Sequence, residues 1–174
     1  MNLTPLLLSR LQFAFTISYH IIFPSFSIGI AAWLVVLEGL HLATDRPVYR
    51  RLFSFWLKIF GLAFGLGVVS GVVMAFEFGT NWSRMSEATG PIQGPLLAYE
   101  SFTAFALEAS FFGVLIFGRG RVSGGFYFCS VAMVAVGTTL SAFWRGPVNL
   151  VQHRVVDISA ERPFNGFQVG PVTV

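Results

Sequence analysis

Long apolar stretches separated by short polar segments are the dominant pattern of this chain. The stretches cover about residues 11–37, 53–76, 95–117 and 126–144, and the first contains no Asp, Glu, Lys or Arg. About 20 apolar residues suffice for a helix to cross the hydrocarbon core of a bilayer. The pattern therefore predicts an all-α integral membrane protein in which about four transmembrane helices form a bundle.

The hydrophobic pattern changes after residue 144. Residues 145–174 mix charged residues with prolines and glycines, and they contain no apolar run long enough to cross a membrane. We therefore predict two regions: a transmembrane four-helix unit at residues 1–144, and a divergent, irregular and poorly ordered tail at residues 145–174.

Composition supports the membrane interpretation. Hydrophobic residues make up 55% of the chain and charged residues 11%, whereas soluble domains carry about 25% charged residues. The net charge of +3 comes from residues in short connections rather than from a basic stripe, so we expect no nucleic-acid partner. The one cysteine, Cys129, excludes an intrachain disulfide and is expected to be a small packing residue.

Basic residues in the connections predict how the chain is oriented. Arg46, Arg50 and Arg51 lie in the first connection, and Arg119 and Arg121 lie in the third. The positive-inside rule places both connections in the cytoplasm and the N-terminus on the periplasmic side. The N-terminal residues are apolar without a preceding basic segment, so we expect the first span to be retained rather than cleaved as a signal peptide.

Three ionisable residues lie inside predicted spans at positions from which a bilayer should exclude them: His20, Glu100 and Glu108. Charge in hydrocarbon is costly, so such residues usually face a bundle interior, bind a ligand or carry protons. His20 has two interpretations that the sequence leaves open. Its imidazole is a suitable ligand for haem iron, or it is an interior histidine that is hydrogen-bonded to a backbone carbonyl.

Glu100 and Glu108 are eight residues apart, which on an α-helix is a rise of about 12 Å and an angular offset of about 80°. The two carboxylates are therefore expected on adjoining faces, two turns apart. Spaced carboxylates can relay protons, or one can ligate a metal. The alternative for Glu100, which lies near the start of its span, is that it is solvated at the membrane interface.

Other polar and aromatic residues have structural interpretations. Lys58 and Glu77 lie near the ends of the second span, where snorkelling or interfacial solvation explains them. Glu38 and His41 are expected to be solvated at a helix exit, and His153 to lie on the surface of the tail. The patterns Gly61-x-x-x-Gly65 and Gly67-x-x-x-Gly71 are expected to serve helix packing. Interfacial positions are expected for the tryptophans Trp33, Trp56, Trp82 and Trp144.

Four strings within residues 6–144 stand out. They begin at Ser9, Phe78, Gly94 and Leu140, and they read SRLQF followed by YH, FGTNW, GPLLAYE followed by FALE, and LSAFW. In order and spacing, these strings resemble the start of subunit I of cytochrome bd-type quinol oxidases. Each string alone is a weak signal, but together they cover most of the chain.

The resemblance implies roles for five residues. His20 matches the ligand of a high-spin haem at the oxygen-reducing site, and Glu100 matches a residue on the other side of that haem that is a candidate second ligand of the iron. Glu108 and Ser141 match residues of a proton path from the cytoplasm, and Arg10 matches a residue close to the haem. The family uses b-type and d-type haems.

The resemblance also implies an activity and partners. The family oxidises ubiquinol or menaquinol, reduces dioxygen to water and contributes to a proton gradient across the bacterial inner membrane. The partners expected are subunit II, the remainder of subunit I, quinol, dioxygen and membrane lipid.

After Trp144 the resemblance ends, because residues 145–150 replace the string with which the family continues. The family's subunit I is far longer, and its low-spin haem ligands and quinol-binding loop have no counterpart here. We therefore expect a truncated chain that is inactive alone. Two alternatives stay open: a non-catalytic membrane remnant without haem, and half of an ion-coupled transporter that uses Glu100 and Glu108.

Overall fold

The computed structural model describes the backbone of residues 5–161, and within that range the side chains except those of residues 5, 6, 9, 84, 85, 88, 103, 104 and 144–161. Its elements in chain order are α1 (Pro5–Thr44), α2 (Pro47–Gly79), α3 (Ser83–Glu100), a π-helical turn (Ser101–Phe105), α4 (Ala106–Phe117) and α5 (Gly124–Glu161). Every regular element in the described range is helical, which confirms the predicted all-α class.

Three helices contain segments that are long and apolar enough to cross a membrane: Arg10–Thr44, Pro47–Gly79 and Gly124–Phe143. The predicted span at residues 95–117 is divided among the end of α3, the π-helical turn and α4, which is a shorter apolar helix. These three follow one another without a break. The predicted membrane bundle is confirmed.

The polar segment between the apolar stretches 53–76 and 95–117 is mostly helical, because α3 begins at Ser83. Two of its polar side chains are hydrogen-bonded to each other along the helix, as Thr89 Oγ1 donates to Gln93 Oε1 at 2.6 Å. Pro91 and Pro95 lie inside α3, where each removes one backbone donor, a loss that membrane helices tolerate when the freed carbonyls find other partners. The polar segment between the second and third apolar stretches is therefore mostly helical, although it contains proline.

The backbone of α5 stays helical from residue 145 to Glu161, across the first part of the predicted tail. The side chains of Trp144 and His153 lie outside those that the structure describes, and so do residues 162–174. The division of the chain at residue 144 stays a prediction.

The apolar core lies in one half of the bundle, next to the α1–α2 and α4–α5 connections. We call this the packed half, and its most buried side chains are Leu34, Leu37, Phe53, Phe60, Leu115, Val131 and Val134. The other half, which we call the polar half, contains the buried side chains of Thr16, His20, Ser70, Glu77 and Glu108. Many large apolar side chains face outward along α1, α2 and α5, as expected of helices in a membrane.

Small residues bring α1 and α2 together in the polar half. A Cβ atom at Gly67 would lie 3.5 Å from Pro24, and one at Gly71 would lie 3.1 Å from Cε1 of His20. The latter distance is too short for ordinary packing, so the imidazole lies directly against the backbone of α2. Gly65, in contrast, faces open space. The packing interpretation of the glycines therefore agrees with the structure at Gly67 and Gly71.

Candidate functional site

His20 is buried between α1 and α2 with 7% of its surface exposed. Its Nδ1 atom lies 2.9 Å from the Ser70 hydroxyl oxygen. That hydroxyl also donates to the carbonyl oxygen of Gly67, again at 2.9 Å. The ring is thus oriented by a side chain of the neighbouring helix, and its Nδ1 edge is occupied by Ser70.

Two further polar residues precede His20 on the same face of α1, at intervals of one helical turn. Gln12 Nε2 donates to Glu77 Oε1 at 3.1 Å, and the Thr16 hydroxyl donates to the same oxygen at 3.4 Å. Glu77 is 8% exposed, so the interpretation of Glu77 as interfacially solvated is wrong. A row of polar contacts therefore joins α1 to α2 from Gln12 to His20.

Glu100 and Ser141 are brought together by the packing of α3 against α5. The Ser141 hydroxyl donates to Glu100 Oε1 at 2.9 Å, and both residues are partly buried. The sequence placed both in the candidate site but did not indicate that they touch. The alternative interpretation, in which Glu100 is simply solvated at the membrane interface, does not account for this hydrogen bond.

The π-helical turn changes the angle between Glu100 and Glu108. The backbone N–H of Ala106 donates to the carbonyl of Ser101, five residues back instead of four. One extra residue in a turn reduces the offset of the two acids from about 80° to about 20°. The two carboxyl groups therefore lie on nearly the same face of the chain, and Glu108 is buried with 6% of its surface exposed.

Arg10 is exposed near the start of α1. The described contacts attach His20 to α2 and Glu100 to α5. Among the described residues, no three His, Cys, Asp or Glu side chains cluster as a metal site. A porphyrin already supplies four nitrogen ligands to its iron and needs only one or two from the protein. The chemistry of His20, a buried imidazole with one nitrogen already hydrogen-bonded, fits such a group.

The opposite end of the bundle contains a charge pair that the sequence analysis missed. Glu38 is only 2% exposed, and Arg119 from the α4–α5 connection forms an ion pair with it at 2.5 Å. The guanidinium also stacks on Phe53 and Tyr127, at 4.6 and 4.3 Å from the ring centroids. The prediction of a solvated Glu38 is wrong, because a loop arginine closes over it.

Remaining expectations have mixed outcomes. Lys58 is exposed and His41 is half-buried. Cys129 is exposed on the isolated chain rather than packed inside it. Trp82 is buried, and its ring contacts Phe13 and Phe78.

A shallow cavity of about 450 Å³ lies far from His20, on the exposed first turns of α2. It is lined by Pro47, Arg50, Arg51, Ser54, Phe55 and Lys58.

Ser70 is the site residue that sequence reasoning overlooked. It directly precedes Gly71 inside an apolar span, where a hydroxyl is compatible with simple helix packing. The available signal was the coincidence of a hydroxyl, a glycine pattern and an intramembrane histidine on neighbouring helices.

Comparison with known proteins extends these observations. The family model for cytochrome bd terminal oxidase subunit I matches residues 8–148. Cytochrome bd-II ubiquinol oxidase subunit 1 of Escherichia coli (strain K12) is 42% identical over 137 residues, which are 79% of this chain and 27% of that protein. Cytochrome bd ubiquinol oxidase subunit 1 of Bacillus subtilis (strain 168) is 36% identical over 142 residues, which are 82% of this chain and 30% of that protein.

A solved structure matches as well. The bd oxidase from Geobacillus thermodenitrificans superposes with a TM-score of 0.76 at 25% sequence identity, covering 83% of this chain and 34% of that one. The chain thus spans about a third or less of the length of the relatives it matches. The resemblance stated from the sequence strings is confirmed. Because the family match covers most of the chain and the helices superpose on a solved relative, this chain belongs to the cytochrome bd terminal oxidase subunit I family, a family of multi-pass proteins of the bacterial inner membrane.

Proposed function

We propose that this chain is the amino-terminal part of a terminal quinol oxidase of the cytochrome bd type. In that role it contributes the high-spin haem ligand and part of a proton path to an assembly that transfers electrons from quinol to dioxygen. The observation that carries the proposal is His20, a buried intramembrane imidazole held by Ser70. The names of the relatives, which are ubiquinol oxidases, support the choice of reaction.

In this proposal His20 would hold the iron of the high-spin haem, and Glu100 would be a second residue at that haem and a candidate ligand of its iron. Haem, b-type or d-type, supplies the electron-transfer and oxygen-reducing chemistry when it is bound. Ser141 orients Glu100 through their hydrogen bond. Arg10 is exposed near the start of α1 and is proposed to lie close to the haem in the assembly.

Glu108 is proposed to deliver protons toward Glu100. Glu108 lies closer along the helix to the Arg119–Arg121 connection, which the positive-inside rule assigns to the cytoplasm. A proton entering from that side meets Glu108 first and Glu100 second. The π-helical turn supports the transfer, because it puts both carboxyl groups on nearly the same face.

The chain alone is proposed to be inactive. Subunit II and the remainder of subunit I are the expected partners, because the chain covers only part of the length of its relatives. The low-spin haem ligands and the quinol site belong, in this proposal, to parts of the assembly outside the residues that match the relatives. The N-terminus is proposed to be periplasmic.

The test is a reduced-minus-oxidised optical spectrum of the chain, purified from membranes in mild detergent together with any associated subunits. We expect a haem signal that His20→Ala abolishes and that His41→Ala retains. His41 is a matched control, because it lies on the same helix but in the packed half. A second arm uses Glu108→Ala, which is expected to retain the haem signal while slowing oxygen consumption by the assembled complex.

Glu87→Ala is the control for the Glu108→Ala measurement, because the Glu87 side chain is exposed. A wild-type chain without any haem signal contradicts the proposal and favours the non-catalytic remnant. A normal rate of oxygen consumption in Glu108→Ala removes Glu108 from the proton path.

A further inference from the structure

We infer that Ser70 is a positioning residue that fixes the protonation pattern and orientation of the His20 ring. Its hydroxyl accepts the Nδ1–H of the imidazole, and Nε2 is thereby left as the nitrogen with the lone pair for iron. The inference rests on the proposed function, since it concerns how this chain presents the ligand for which His20 is proposed.

The Ser70 hydroxyl has a single proton. Two possible acceptors lie within its reach, the carbonyl oxygen of Gly67 and Nδ1 of His20, and each is 2.9 Å from Oγ. A backbone carbonyl can only accept, whereas Nδ1 can carry a hydrogen of its own. Both contacts are hydrogen bonds only when the hydroxyl donates to the carbonyl and Nδ1 carries a hydrogen that Ser70 accepts.

A neutral imidazole has one N–H and one unprotonated nitrogen. With the hydrogen at Nδ1, the lone pair is at Nε2, which is the atom able to bind a metal. The opposite tautomer would place a hydrogen on Nε2 and prevent ligation. The contact with Ser70 thus selects the tautomer that is competent to bind iron.

The neighbouring glycine fixes where the ring lies. A Cβ atom at position 71 would approach His20 Cε1 to 3.1 Å, so any larger residue would displace the imidazole by a few tenths of an ångström. Ser70 and Gly71 are consecutive on α2 and contact adjacent parts of the same ring. Together they hold the imidazole by a hydrogen bond on its Nδ1 edge and by close backbone packing on Cε1.

A hydrogen-bond acceptor on the second nitrogen of a ligating histidine increases the basicity of the ligand, and its removal typically weakens metal binding by about 10–100-fold. A more basic ligand stabilises the oxidised, more positively charged iron. Removing the Ser70 hydroxyl is therefore expected to weaken haem retention and to raise the midpoint potential of the high-spin haem.

The experiment compares four variants of the full chain, purified from membranes with any associated subunits. Ser70→Ala removes the acceptor, and Ser54→Ala is its control, because the exposed Ser54 hydroxyl bonds only to the backbone of the same helix. Gly71→Ala displaces the ring, and Gly65→Ala is its control, because a Cβ there meets nothing within 4 Å. Haem content and the potential of the high-spin band in a redox titration are measured.

We expect Ser70→Ala to lose haem about tenfold more readily than wild type during detergent washing, with a raised potential, and both controls to match wild type. If Ser70→Ala does not accumulate in membranes, Ser70→Thr takes its place. The threonine keeps the hydroxyl and is expected to keep the wild-type potential, whereas Gly71→Ala is expected to shift it.

The outcomes separate the inference from the proposed function. A wild-type chain without haem overturns both. A wild-type haem signal, together with Ser70→Ala that behaves like Ser54→Ala, overturns the inference alone. A shift in Ser70→Thr as large as that in Gly71→Ala also overturns it, because the effect would then follow from crowding and not from the hydroxyl.

Discussion

The packed half and the polar half of the bundle differ in the groups that contact their acidic side chains. In the packed half, Glu38 meets an opposite charge, because Arg119 pairs with it and stacks on Phe53 and Tyr127. In the polar half, the described hydrogen bonds to Glu77 and Glu100 come from neutral groups, namely Gln12, Thr16 and Ser141. Arg119 neutralises Glu38 in one half, whereas an amide and hydroxyls contact Glu77 and Glu100 in the other.

This difference bears on how each half is stabilised. Breaking a buried pair of carboxylate and guanidinium is costly, because it leaves one charge unpaired. A hydrogen bond from a hydroxyl contributes less, about 1 kcal/mol. Tight packing concentrates where Phe53 and Phe60 are fully buried, and the half proposed to bind haem and protons has fewer large buried side chains.

The largest effect should follow from breaking the ion pair in the packed half. Arg119→Ala leaves the Glu38 carboxylate buried without its cation, which is expected to cost about 3–5 kcal/mol of stability. A clear fall in the thermal unfolding temperature in detergent, and lower accumulation in membranes, would register this loss. Arg121→Ala is the matched control, because Arg121 lies two residues away and is exposed.

A double variant sharpens the same comparison. Replacing both partners by apolar residues, as in Glu38→Leu with Arg119→Met, should recover much of the lost stability, since an apolar pair leaves no unpaired charge. If Arg119→Ala unfolds at the same temperature as Arg121→Ala, the pair does not stabilise the packed half and the contrast between the halves disappears.

The ion pair between Glu38 and Arg119 is also a feature that the sequence could not predict. The apolar stretches predicted the membrane class and the approximate positions of α1, α2 and α5, because hydrophobic length is a local property. The partnership of Glu38 with Arg119 joins residues far apart in the chain, so no local pattern contains it. A glutamate at a helix exit looks solvated until the connection that covers it is in place.

Part of the candidate site was predictable for a similar reason. His20, Glu100 and Glu108 were found because ionisable residues in apolar spans are exceptional. Ser70 was not, since a serine in such a span is ordinary. The angle between the two glutamates was predicted for an ideal α-helix, and a π-helical turn has no sequence signature that the spacing of residues reveals.

An effect of intermediate size is expected from a deletion in the π-helical turn. Deleting residue 104 removes the extra residue and allows a continuous α-helix from Ser83 to Phe117. Glu100 then rotates by about 100° relative to Glu108 and loses its approach to Ser141. The haem signal is expected to fall strongly, while the unfolding temperature falls less than in Arg119→Ala, because the packed half is untouched.

Deletion of Gly94 is the control for this change. It lies in regular helix before Glu100 and faces open space, so Glu100, α4 and α5 keep their register. Equal effects of the two deletions would mean that the π-helical turn has no special part in placing Glu100.

The smallest effect is expected from Ser141→Ala. This change removes one hydrogen bond to a partly exposed carboxyl group, which contributes about 1 kcal/mol. The unfolding temperature should therefore change little, as it should in the control Ser110→Ala, whose exposed hydroxyl bonds to the backbone of its own helix. Oxygen consumption by the assembled complex should nevertheless slow, because Glu100 is no longer oriented by α5. A large loss of stability without a change in rate would assign Ser141 to packing and would make the polar half resemble the packed one.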